Sequence, residues 1–133
     1  MPIPADHPLA RTYALLDFDI AAAAAEIFQG TTEPVEIEAL VELLLNRESS
    51  ATACSAALRS LEHDSRSIVA DAVVRSLESP HASVRINAAG EVVRRQLFEA
   101  ARQPLRSLLH SDPFWQVRRA AVNAIGAESG VRQ

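Results

Sequence analysis

Apolar residues along this chain recur at spacings of three and four, the period of helices that bury one face. Leu9, Tyr13, Leu16, Ile20, Ala23 and Ile27 form the first such stripe. Asp6 near the cap and Pro8 in the first turn suit its start, and Gly30 with Thr31 and Thr32 stops it. Asp17 and Asp19 leave open a division of this stretch into two short helices. Pro34 fits the first turn of the next helix, whose inward stripe is Ile37, Leu40, Val41 and Leu44. Asn46 to Ser50 reads as a turn, and a weaker helix follows through Ala53, Ala57, Leu58 and Leu61. Asp64 is expected to cap a helix that turns Val69, Ala72, Val73 and Leu77 inward.

The second half repeats itself. Ser79-Pro80 precedes Val84, Arg85, Ala88, Ala89 and Val92; Asp112-Pro113 precedes Val117, Arg118, Ala121, Val122 and Ile125, each pair offset by 33 residues. In both copies a capping side chain stands before a proline, which costs no hydrogen bond at a first helical position. The two helices should bury Val84, Ala88 and Val92, then Val117, Ala121 and Ile125. Between them Ala100 to Leu109 reads as a helix with Leu105, Leu108 and Leu109 inward, kinked or shortened by Pro104. Gly126 is expected to end the last helix, leaving a polar tail. A period of 33 belongs to helix-turn-helix units, which bury their apolar faces only by stacking.

These segments, "VVRSLESPHASVRINAAGEVV" (73–93) and "PLRSLLHSDPFWQVRRAAVNAIG" (104–126), resemble HEAT repeats, and more narrowly those of phycocyanobilin-lyase-type proteins. Pro104, Asp112, Val117, Arg118, Ala120 and Ala121 match the pattern in the last unit. The preceding unit has Ser79 in place of the aspartate, and a third, around 34–61, keeps only helical pairing and Ala56-Ala57. The resemblance implies an all-α chain: a short right-handed α-solenoid of about three HEAT-like hairpins with an N-terminal helix or helix pair. The expected single domain spans 1–133, with a cap at 1–30, repeats at 31–63, 64–97 and 98–126, and a tail at 127–133. It also implies that Arg85, Asp112 and Arg118 form a structural ladder between repeats.

Composition sharpens this picture. Hydrophobic residues are 48% and aromatic ones only 5%, which suits closely packed helices over a β-sandwich. Cys54 is the single cysteine, so no internal disulfide can form and a reducing, cytoplasmic setting is expected. No basic and apolar leader is evident, and the run from Ile20 to Ala25 is far too short for a bilayer. The net charge of -4 divides unevenly: residues 1–64 carry three arginines against eleven acids, and residues 65–133 carry ten against six. Halves of opposite sign suggest head-to-tail self-association through the C-terminal repeat or two faces for different partners. Pairing of these charges along a solvated helical surface is the plainer reading.

Candidate chemistry is sparse. Cys54 lies among alanines as a core filler, and His81 and His110 fall in turns without the spacing of a metal pair. Phe114-Trp115 reads as a core or edge anchor closing the last repeat. Trp115 beside Asp112 invites comparison with HEAT-like DNA glycosylases, but overall acidity and a single tryptophan weigh against that enzyme and against nucleic-acid binding. The expectation is a non-catalytic adaptor without metal or cofactor that binds another protein through Arg85, Asn87, Glu91, Arg119 and Asn123. The alternatives are a lyase- or chaperone-like accessory subunit and a nucleic-acid-binding helical repeat.

Overall fold

The structure, a computed structural model, describes residues 30–132, and every α-helix or 3-10 turn among them follows the pattern of paired helices, with no strand. The stripe from Leu9 to Ile27, with both readings of it, lies outside the described residues. The helices are α1 (Pro34–Leu45), α2 (Ala51–Ser60), α3 (Ser67–Arg75, continued by a 3-10 turn, Ser76–Glu78), α4 (Ala82–Arg95), α5 (Phe98–Ser111) and α6 (Trp115–Arg132). They fall into two compact units, Met1–Val69 and Ala70–Gln133, each described by itself below.

In the first unit Pro34 occupies the first position of α1, where its missing N–H is no loss. Ile37, Leu40, Val41 and Leu44 are buried as their spacing requires, joined by Ala39 and Leu43. The turn is closed by Ser49, whose Oγ donates to the Leu43 carbonyl at 2.8 Å. Ser50 then caps α2, its Oγ accepting from the Ala53 N–H at 3.1 Å. Asp64 does not cap a helix directly. Its Oδ1 accepts from the Arg66 N–H at 2.9 Å in a local turn, and α3 begins only at Ser67.

The second unit is built from α4 packed on α6 and α5 packed on α6. Val84, Ala88, Val92, Ala101, Leu105, Val117 and Ala121 supply its core. Several local expectations need correction. Pro80 and Pro113 lie in the turns, not in the helices, because Ser79 Oγ accepts from His81 N–H (3.2 Å) and Asp112 Oδ1 from Phe114 N–H (3.0 Å). Each such turn bonds two residues onward, so the helix starts beyond the proline. Pro104 does not shorten α5, which runs on from it to Ser111. Leu108 and Leu109 are half-buried, while Phe98, Ala101 and Leu105 carry the packing.

Gly126 does not stop α6 either, which runs on to Arg132. A mid-helix glycine costs about 1 kcal/mol relative to alanine. Here Arg102 Nη2 donates to Glu128 Oε1 at 2.8 Å, tying the turn beyond Gly126 back to α5. Ala124 is buried one position before the expected Ile125, which is half-buried. α4 ends in a tight reversal: Gln96 takes a left-handed φ of 56°, and the Leu97 N–H reaches the Val92 carbonyl at 2.9 Å.

Candidate interaction surface

The turn joining each helix pair carries the same bond three times. Asn46 Oδ1 accepts from Glu48 N–H at 2.9 Å, Ser79 Oγ from His81 N–H and Asp112 Oδ1 from Phe114 N–H, at 33-residue intervals. The first helices keep that interval, with Leu40 and Leu44 buried like Val73 and Leu77. The second helices do not. Ala53, Cys54, Ala57, Leu58 and Leu61 are buried 31 residues before Val84, Arg85, Ala88, Ala89 and Val92. The first turn holds five residues between its helices, and the other two hold three. Two extra turn residues therefore shift the α2 register and hide the first repeat from any comparison at a fixed interval.

In the second unit, the turn of the last repeat receives an arginine from the repeat before it. Arg85 Nε donates to Asp112 Oδ2 at 2.7 Å and Nη2 donates to Oδ1 at 3.2 Å, a two-point grip. Arg85 Nη1 also donates to the Ser79 carbonyl at 2.9 Å, and Arg118 Nη1 repeats that bond to the Asp112 carbonyl at 2.8 Å. Burial pushes the Asp112 pKa up, but the Arg85 hydrogen bond, the Phe114 N–H and the charges of Arg85 and Arg118 outweigh it. The carboxyl is held below the usual range. In the register of the second helices Cys54 takes the place of Arg85, its Sγ only 3.6 Å from the Leu44 carbonyl oxygen and its pKa pushed up to about 11 by burial.

The expected partner contacts separate into two groups. Arg85 is buried and engaged with Asp112, so it is not an exposed contact. Glu91 is half-buried and held by Arg94 (Nη2 at 2.7 Å) and Arg95 (Nε at 2.9 Å). Desolvation raises its pKa, and the two arginines more than reverse that shift. Asn87, Arg119 and Asn123 are exposed. Arg119 and Asn123 share α6 with Trp115, which is 57% exposed, and Phe114 just before the helix is 52% exposed. Phe114-Trp115 is thus not a core anchor: the helix starts at Trp115, two residues beyond the expected Pro113, and both rings are exposed.

The same interval shows why this face is open. Ala89 of α4 is 2% exposed, whereas Val122, at its equivalent place on α6, is 49% exposed. Arg118 and Ile125 are likewise less covered than Arg85 and Val92. The face that α4 uses inside the unit is, on α6, a solvent-facing strip of Trp115, Arg118, Arg119 and Val122. The signal was in the sequence: Trp115 and Val122 are seven apart, on the opposite side of α6 from Val117, Ala121 and Ala124.

Comparison with curated proteins and with solved structures finds no match. The family model described as HEAT repeats matches residues 37–126, about two-thirds of the chain and all three helix pairs in large part. With the repeated turn, the recurring arginine bond and the buried Arg85–Asp112 rung, the match leaves one assignment: the chain belongs to the HEAT-repeat family and has its all-α, solenoid type of fold.

Proposed function

We propose that the chain is a non-catalytic scaffold that mediates protein–protein interaction through the solvent face of α6. The observation that carries this reading is the exposure of Trp115 and Val122 beside Arg118 and Arg119. A large aromatic with neighbouring arginines is the composition of an energetic centre in a protein interface. The polar groups that could suggest chemistry have structural employment: Asp112 is gripped by Arg85, and the Cys54 thiol is buried and raised in pKa. Membership of a helical-repeat family supports a binding role at the level of the fold. No described helix is long and apolar enough to cross a membrane. A cytoplasmic setting belongs to the proposal and rests on the lone buried thiol.

The test is affinity capture from a lysate of the source organism, with and without nuclease, using wild type and Trp115→Ala/Val122→Glu. A stoichiometric protein that survives nuclease and is lost with the double variant is the expected result. Retention of nucleic acid abolished by Arg118→Ala/Arg119→Ala would replace it with a nucleic-acid surface.

A further inference from the structure

We propose that the open face of α6 receives the acidic first repeat of a second copy of this chain, extending the rung pattern between molecules. The inference rests on the reading of α6 as an interaction face and names its occupant. Within the second unit, the face of α4 at Arg85, Ala89 and Val92 is buried, and its arginine reaches forward to a carboxylate on the next turn. α6 presents the equivalent face at Arg118, Val122 and Ile125. Arg118 already makes the bond to its own turn carbonyl that Arg85 makes, so its guanidinium is held in the same way. By the pattern of Arg85 and Asp112, the fitting occupant of this face is a helix pair with an acidic turn.

The chain itself contains a helix pair of that description. The turn between α1 and α2 has the Asp112-type geometry, with Asn46 accepting from Glu48 N–H, and it exposes the Glu48 side chain. Glu33, Glu38 and Glu42 are also exposed on this unit. Residues 1–64 carry three arginines against eleven acids, while the half containing α6 is basic. Opposite charge steers the two surfaces together and suppresses α6 meeting α6, where Arg118 and Arg119 would face their own kind. The contact is heterologous: each copy offers a different surface, so association continues beyond two.

Sedimentation velocity of the purified chain between about 5 and 200 µM, at about 50 mM and again at 500 mM salt, tests this. The expected result is concentration-dependent growth past the dimer at low salt that weakens at least tenfold at high salt. Arg118→Glu should abolish it, and Glu48→Arg should weaken it comparably. Mixing those two variants should restore growth past the dimer, since each face of one variant then meets an oppositely charged face of the other. Circular dichroism of each variant separates loss of association from loss of fold. A monomer throughout, or a dimer that Glu48→Arg leaves intact, overturns the inference. Capture of a different protein on α6 by a monomeric chain would sustain the scaffold reading and still sink this one.

Discussion

The Arg85–Asp112 pair is where single residues matter most. Both side chains are almost fully withdrawn from solvent, so removing one strands a buried charge. Arg85→Ala should cost about 3–5 kcal/mol, measured as a fall in urea midpoint at unchanged slope. Asp112→Asn isolates the ionic part, because asparagine already makes the same turn at Asn46. Asp112 has a lower pKa in the folded chain than in the unfolded one, so its contribution is whole above the unfolded value of about 3.9. It disappears as pH falls toward the folded value. Stability measured from pH 6 down to pH 2 should therefore drop, and drop less in Asp112→Asn, with Glu91 supplying part of the remaining slope. Cys54 makes a second residue-scale prediction. A buried thiol with pKa near 11 should resist alkylation at pH 8 in the native state and react fully in denaturant.

At the scale of the helix, glycines and one left-handed residue mark positions where the chain is below its best. Gly90 in α4 and Gly126 in α6 have nothing within 4 Å of where a Cβ would stand. Alanine at either should raise stability by about 1 kcal/mol, seen as a higher thermal midpoint. Gln96→Gly should also stabilise, by up to about 1 kcal/mol, because the left-handed C-cap of α4 strains any side chain. Much of this level was legible in the sequence. The inward stripes of α1 and α4 were read from spacing alone, and the 33-residue interval identified the last two second helices. Helix starts were misread because a side chain before proline makes a turn as readily as a cap, and only geometry distinguishes them. The length of α6 was misread at Gly126 because the offsetting bond, Arg102 to Glu128, joins residues 26 apart.

For the whole molecule, the family was legible because repeats echo one another, whereas the interaction face was not. Phe114-Trp115 read as a core or edge anchor, and only the burial of Ala89 set against the exposure of Val122 shows which face of α6 is open. The first repeat was recognised weakly because its turn is two residues longer and Cys54 replaces the arginine. Charge distribution was fully legible in the sequence, and it sets how partners approach rather than how the chain folds.

The rung between Arg85 and Asp112 also bears on how the second unit opens. One end of it is in α4 and the other lies just before α6, so neither helix can detach without exposing a charge that has lost its counterpart. Fraying at that point is replaced by a shared opening event. The backbone amides of α4 and α6 should then exchange with solvent deuterium with a common opening free energy, as one foldon. Asp112→Asn should split that common value into two.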